Sequence, residues 1–192
     1  MEIIRSMNID QASVIFDSVH GTLKGKDVSR SVRRLADVAG IFADRKSLEL
    51  MDQGQIVYTV EMHEPTKDVP GALYFGISHI HPGKVGSEFF MTKGHFHQIQ
   101  DRAEYYWGIK GTGVLLMMDN ERKSWMEEIN PGSLHYIPGY VAHRIINTGC
   151  EELTVGACWP QDAGHDYQSI AESGFSVRIK EINGTVVIEP FS

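Results

Sequence analysis

Thr92-Lys93-Gly94-His95-Phe96-His97 is the stretch on which the fold and chemistry of this chain depend. Residues i and i+2 of a strand point to the same face, so both imidazoles are expected to face one way. Glu104 follows seven residues after His97, beyond a polar segment. A turn in that segment would bring Glu104 back beside the histidines on the neighbouring strand. A lone His-x-His pair also fits two half-exposed strand residues that bind nothing.

His143 completes a candidate metal site. It lies 46 residues after His97 and directly follows the segment Pro138-Gly139-Tyr140-Val141-Ala142 in the sequence. His143 occurs together with the His-x-His pair and Glu104 in a chain rich in strands. This combination favours a metal site over the alternative that the two histidines are half-exposed strand residues that bind nothing. Three neutral imidazoles and one carboxylate suit Fe(II), Mn(II), Ni(II) or Zn(II). The sequence thus predicts one divalent metal ion per chain, with Fe(II) preferred, held by His95, His97, Glu104 and His143.

Short runs rich in Val, Ile, Tyr, Phe and Trp surround this site, with Gly, Pro and Asn between them. Many short strands at regular spacing are typical of a β-sandwich or barrel. The predicted strands are 55–61, 72–80, 88–97, 103–110, 113–118, 133–137, 143–147 and 153–159. The chain is therefore predicted to be all-β.

The flanks of the barrel are predicted to carry the helices. Residues 1–54 form an N-terminal extension with a short helix over 31–38 and a second helix after Asp44. Residues 55–192 form the barrel, a helix over 162–173 capped by Asp162, and a hairpin whose Asn183-Gly184 pair favours a type I′ turn. The two parts are expected to make one compact domain.

Composition excludes several classes of function. The net charge of −7 argues against non-specific binding to nucleic acid, which needs a basic face. The two cysteines, Cys150 and Cys158, are too few for a disulfide framework and are expected to be reduced. No apolar run is long enough for a membrane span, and residues 1–8 lack a signal-peptide pattern. We therefore expect a cytoplasmic protein without membrane or nucleic-acid partners.

The metal-site residues also carry a family resemblance. Gly94-His95-Phe96-His97, Glu104 and Gly111 resemble the first cupin motif, with a longer gap between histidine and glutamate than usual. Gly132, Pro138-Gly139, His143 and Asn147 resemble the second. The resemblance implies a single cupin barrel, that is, a double-stranded β-helix or jelly roll with the metal inside one end.

Longer strings narrow the resemblance to the cupin-type phosphoglucose isomerases, best known from archaea. These strings are Ser31-Val32-Arg33-Arg34-Leu35, Pro82-Gly83-Lys84-Val85-Gly86, Thr92-Lys93-Gly94-His95-Phe96-His97, Asp101-Arg102-Ala103-Glu104 and Asp162-Ala163-Gly164-His165-Asp166-Tyr167. The similarity runs from about residue 30 to 175. It implies a homodimer that interconverts glucose 6-phosphate and fructose 6-phosphate, in glycolysis and gluconeogenesis, with the same four metal ligands and with Glu104 as catalytic base.

The resemblance also implies substrate contacts, and two positions depart from the family pattern. A tyrosine that the family uses for phosphate is Trp159 here, and a threonine is Ser78. Ser78 keeps a hydroxyl, whereas Trp159 keeps only one indole N–H donor, so substrate preference is expected to differ. The expected substrate-binding residues are Ser78, Thr92, Lys93, Gly94, Tyr106, Trp159, His165 and Tyr167, with the helix start near Asp162 as a further phosphate contact.

Other interpretations stay open at this stage. Thr92, Lys93 and Gly94 also fit a strand that enters a glycine bulge, and His165 fits an exposed first-turn helix residue. His79, His81 and His135 are expected to be structural or exposed, and Arg33 and Arg34 to be packing or interface charges. A cupin dioxygenase of the acireductone type would share the metal ligands, and a non-catalytic sugar-binding cupin would share the fold. Proton transfer through Glu104 and a hydride shift both remain compatible with isomerisation.

Overall fold

The computed structural model describes residues 9–191 and shows an all-β protein with three short α-helices and one 3₁₀ helix, Ala39–Ile41, in those residues. The N-terminal residues 1–8, where no signal peptide is expected, lie outside the described residues. The strands are β1 Val14–Asp17, β2 Thr22–Gly25, β3 Val28–Arg34, β4 Ile56–His63, β5 Leu73–Ile80, β6 Lys84–Val85, β7 Glu88–Phe89, β8 Glu104–Lys110, β9 Gly113–Asp119, β10 Ser124–Ile129, β11 Leu134–Ile137, β12 Val141–Ile146, β13 Leu153–Pro160, β14 Val177–Ile182 and β15 Thr185–Pro190. The helices are α1 Leu35–Val38, α2 Arg45–Glu49 and α3 Gln168–Ser173.

The described strands form four sheets, and two of these supply most of the core. The larger has the strand order β11-β8-β13-β5-β4-β3, and the smaller has the order β10-β9-β12. Their inward side chains pack together, among them Ile80 and Val155 from the larger sheet and Leu115 and Ile145 from the smaller. The prediction of an all-β cupin barrel with short flanking helices is confirmed. None of the helices among residues 9–191 is long and apolar enough to cross a membrane.

The C-terminal hairpin forms as predicted. Strands β14 and β15 pair in register from Val177 opposite Pro190 to Ile182 opposite Thr185. Asn183 and Gly184 between them have φ angles of 53° and 77°. Positive φ at both central residues is the requirement of a type I′ turn, which matches the twist of the two strands.

The prediction of a helix over 31–38 is wrong for its first half. Residues 31–34 belong to β3, which pairs with β4 along Val28–Arg34, and only Leu35–Val38 are helical. The backbone N–H of Arg34 donates to the Asp37 carboxylate at 2.8 Å. The helix therefore begins directly after strand β3 in the sequence rather than at Ser31. The second predicted helix is confirmed as α2, where Asp44 accepts from the Ser47 N–H at 3.0 Å.

Two further boundaries differ from the sequence prediction. The predicted strand 88–97 is broken after β7: Met91, His95 and Phe96 make only isolated bridges to other segments, and Gly94 has a φ of 72°. The helix predicted over 162–173 begins only at Gln168. Gly164, with a φ of 61°, falls within the segment that is not helical.

Candidate metal centre and substrate cavity

Four ligand atoms converge at one end of the barrel. The segment between β7 and β8 supplies His95 and His97, β8 begins with Glu104, and β12 supplies His143. The backbones of His95 and His143 pair directly, with N–H to carbonyl distances of 3.3 and 3.0 Å. One ring nitrogen or carboxylate oxygen from each of the four residues lies within 4.8 Å of the other three. All four side chains are buried.

Backbone carbonyls orient two of the imidazoles. Nδ1 of His97 lies 2.8 Å from the carbonyl oxygen of Arg102, and Nδ1 of His143 lies 3.2 Å from that of Val141. A neutral ring that donates from Nδ1 has its lone pair on Nε2, the form that binds a metal ion. Burial lowers the pKa of His95, which also favours the neutral ring.

The acidic ligand is ionised in this setting. Burial alone would raise the pKa of Glu104, but the neighbouring His143 and His97 outweigh burial and bring the pKa to about 2. Nε2 of His143 lies 2.5 Å from Oε1 of Glu104, yet among the described residues it has no partner in hydrogen-bonding geometry. A buried ring nitrogen that faces a carboxylate without bonding to it fits a pair of ligands aimed at a common cation. The cluster could therefore hold a metal ion.

A cavity of about 370 Å³ adjoins the candidate metal centre, and three of the four candidate ligands, His95, Glu104 and His143, line it. It brings together all of the residues expected to contact substrate, which are Ser78, Thr92, Lys93, Gly94, Tyr106, Trp159, His165 and Tyr167. Tyr106 is buried and packs at right angles on the His143 ring, with 5.5 Å between the centroids. The cavity is thus a pocket of hydroxyls, aromatic rings and one lysine beside a candidate metal centre.

Sequence relatives identify the family. The sequence model of the family described as Glucose-6-phosphate isomerase (GPI) matches residues 32–189. The chain belongs to this family. The glucose-6-phosphate isomerase of Thermococcus litoralis is 45% identical over 166 residues, which cover 85% of this chain and 87% of the relative. That of Thermococcus kodakarensis is 42% identical over 189 residues, covering 98% and 96%.

More distant similarities are weaker. The glucose-6-phosphate isomerase of Sinorhizobium medicae is 39% identical over 145 residues, which cover 74% of this chain and 67% of the relative. A solved structure of Bacillus subtilis oxalate decarboxylase, from work on its Mn(II) centres, has a TM-score of 0.45 and 19% identity, covering 55% of this chain and 26% of that chain.

In this chain, hydrogen bonds to β12 hold the segment that leads into the metal site. Thr92 pairs with Ile145 of β12: its N–H donates to the Ile145 carbonyl at 3.0 Å, and its hydroxyl accepts from the Ile145 N–H at 3.1 Å. Gly94 then takes the left-handed conformation, as a bulge would. Lys93 and Gly94 line the cavity beside His95.

The segment before α3 differs from its prediction. His165 precedes the helix and lies at the mouth of the cavity, where its ring is 4.4 Å from that of His95 and is stacked against Tyr167. No helix begins near Asp162, so the helix N-terminus on which the predicted phosphate contact depended is not there. The Asp162 carboxylate instead accepts from Arg102 at 2.7 and 2.9 Å, and this pair ties the segment to the loop that carries His97.

Four polar residues of the cavity were not predicted from the sequence. Ser29, Ser31 and Arg33 alternate along β3, and all three line the cavity together with Tyr58 of β4. Sequence reasoning placed Ser31 in a helix and gave Arg33 a packing or interface role. A signal was present in the alternation of these polar residues, since i, i+2 and i+4 of a strand share a face.

Proposed function

We propose that this protein is a metal-dependent aldose–ketose isomerase that interconverts glucose 6-phosphate and fructose 6-phosphate in the cavity above His95, His97, Glu104 and His143. The observation that carries the proposal is the convergence of these four buried side chains beside one cavity, which three of them line, in a chain of the glucose-6-phosphate isomerase family. An aldose and its ketose differ only in the position of hydrogen at C1 and C2, so one centre beside both carbons suffices.

The donor set fits a single divalent metal ion per chain. Three imidazole nitrogens and one carboxylate oxygen suit Fe(II), which we propose as the ion, and also Mn(II), Ni(II) or Zn(II). When bound, such an ion supplies Lewis acidity that stabilises negative charge on the oxygens of the substrate at C1 and C2. The carbonyls of Arg102 and Val141 keep His97 and His143 in the orientation that this role needs.

Glu104 is the proposed catalytic base. Its carboxylate is buried and ionised in the described structure, and in this role it would take a proton from one carbon and return it to the other. A base that also serves as a metal ligand loses basicity, and this opposes the role. A hydride shift between the carbons needs no base, and the variant of Glu104 argued below separates the two routes.

The remaining cavity residues are proposed to hold the sugar phosphate. Lys93 and the Gly94 backbone would bind the phosphate, since an ammonium group and free N–H donors are its usual partners. Ser78, Thr92, Tyr106, His165 and Tyr167 would contact the sugar or the phosphate. Trp159 fills the wall beside Gly76, where a Cβ would lie only 2.9 Å from Cη2 of the indole. Trp159 is therefore placed to set the size of the substrate.

The cellular setting is part of the proposal. We propose that the enzyme is cytoplasmic, acts in glycolysis and gluconeogenesis, and forms a homodimer. Its partner is a sugar phosphate, and neither nucleic acid nor a membrane is proposed as a partner.

Isomerisation assays test this function. The metal-loaded enzyme should convert glucose 6-phosphate to fructose 6-phosphate, lose that activity in a chelator, and regain it when the metal is restored. If the phosphate site exists, kcat/KM for glucose 6-phosphate should exceed that for glucose by at least about a hundredfold, because the charged hydrogen bonds to phosphate would be lost. Similar values for both sugars would show that the phosphate site is absent. No isomerisation by the metal-loaded protein would leave the non-catalytic sugar-binding alternative.

A further inference from the structure

A second cavity, of about 550 Å³, lies behind the substrate-binding segment. The two cavities share Lys93, Gly94 and Tyr167 as a common wall. Successive side chains of β12 point to opposite faces, and each face lines a different cavity. His143 and Ile145 line the substrate cavity, whereas Arg144 and Ile146 line the second cavity. The second cavity is therefore formed on the opposite face of the strand that carries a metal ligand.

Arg144 is buried in this cavity without a carboxylate partner among residues 9–191. The side chain is 8% exposed, and its guanidinium lies over the Phe175 ring, 4.5 Å from the centroid. One terminal nitrogen donates to the Lys93 carbonyl, and the other contacts the Met91 sulfur at 3.2 Å. Its Nε is buried and has no hydrogen-bond partner in the described part of the chain.

A second guanidinium lines the same cavity. Arg178 pairs with the buried carboxylate of Glu88 and lies over the Phe191 ring, 4.0 Å from the centroid. Its Nε also lacks a partner among the described residues. The other acidic residues of the lining, Asp37 and Glu172, are exposed. The lining also includes Lys93, which is half-buried, and Arg45, which is exposed. Glu88 is its only buried carboxylate and pairs with Arg178, so the buried charge of Arg144 is left unbalanced where charge is costly to bury.

We propose that the second cavity binds a small anion, a phosphate or carboxylate group of a metabolite, between Arg144 and Arg178. An oxyanion between the two guanidiniums would balance this positive charge. Guanidinium groups favour such anions because their donors match two oxygens at once. Phe175, Phe191 and Ile170 would pack on the carbon part of the ligand. Because Arg144 also bonds to the Lys93 carbonyl, the anion would lie directly behind the proposed substrate-binding segment.

Calorimetric titration of the metal-loaded enzyme tests the site, with inorganic phosphate in one arm and malonate in the other. One anion per chain is expected to bind in addition to any anion held in the substrate cavity, and the arm that binds more tightly at this additional site identifies the phosphate or carboxylate class. Glu88→Gln removes the only buried negative charge of the lining without changing its shape, so it should tighten binding about tenfold. Arg178→Lys keeps the charge but removes Nε and the planar fork, so it should weaken binding about tenfold.

Lys180→Gln is the matched control, because it removes a cation two residues along β14 that pairs with Glu189 outside the cavity. Its affinity for the anion should equal that of the wild type. Glu88→Gln and Arg178→Lys are expected to shift the affinity for the anion in opposite directions. If one variant does not fold, the other still tests the proposal. Absence of binding in both arms would overturn the proposal. So would an affinity that neither Glu88→Gln nor Arg178→Lys changes, since the anion would then be held elsewhere.

Discussion

At the scale of single residues, the metal site depends on three imidazoles whose orientation is set by backbone carbonyls. We expect His95→Ala, His97→Ala or His143→Ala to lower the metal content of the purified protein by about tenfold or more, since each removes one of four donors. Elemental analysis measures this directly. His20→Ala is the control, because His20 is exposed and pairs only with Asp17. Full metal content in the His95→Ala/His143→Ala double variant would disprove the site.

Glu104 has two proposed roles, and Glu104→Gln separates them. If Glu104 is only a ligand, excess metal should restore most of the activity of the variant. If it is also the base, the fully metallated variant should stay slow by about 10²–10⁴-fold, because an amide cannot accept the proton from carbon. We expect the slow variant, measured as kcat at saturating metal. Glu61→Gln, a buried carboxylate outside both cavities, should retain its kcat.

Solvent exchange gives a second readout for the same residue. A proton that leaves carbon for Glu104 can exchange with solvent, so the wild-type product formed in D₂O should contain deuterium. A hydride shift would leave the product unlabelled. Full rescue of Glu104→Gln by metal, together with an unlabelled product, would reject the base assignment.

At the scale of elements, the entry to the metal site depends on the absence of a side chain at Gly94. A Cβ there would lie 2.7 Å from the Phe175 ring and 2.9 Å from Nε of Arg144, at a φ of 72°. Gly94→Ala should therefore lower the free energy of unfolding by about 1–3 kcal/mol from backbone strain, and by more from the contacts. Denaturant unfolding measures the loss.

Gly132→Ala separates backbone strain from crowding. Gly132 also has a positive φ, of 89°, but a Cβ there would have no atom within 4 Å. Its loss of stability should be the smaller of the two. Equal losses in the two variants would show that contact with Phe175 and Arg144 is not what requires glycine at position 94.

The elements that could be predicted from the sequence are those with a local signal. Apolar and β-branched runs indicated β4, β5, β8, β9 and β13, and Asn183-Gly184 indicated the hairpin turn. Strand β10 was missed because its outward residues include Glu127 and Glu128, which weaken the apolar pattern. The helix over 162–173 failed because tertiary contacts decide its start: Asp162 bonds to Arg102, 60 residues away, instead of capping.

At the scale of the whole molecule, the sequence predicted which residues meet in the cavity but not what lies behind it. His95, His97, Glu104 and His143 could be grouped by motif spacing, and the family resemblance placed Tyr106 among the substrate contacts. The burial of Arg144 has no such signal. It arises because α3 and Phe175 cover the outer face of β12, a long-range packing that neither periodicity nor a motif reveals.

At the same scale, we predict that the protein forms a homodimer. Strands β3 and β11 are the edges of the six-stranded sheet, and edges offer unpaired backbone groups to another chain. The outward residues of β11, Leu134 and Tyr136, are 67% and 54% exposed, whereas edge strands of monomers usually carry charges there. Light scattering at micromolar concentration should give twice the chain mass of 21.5 kDa. A mass near 21.5 kDa that does not change with concentration would show a monomer and reject the assembly.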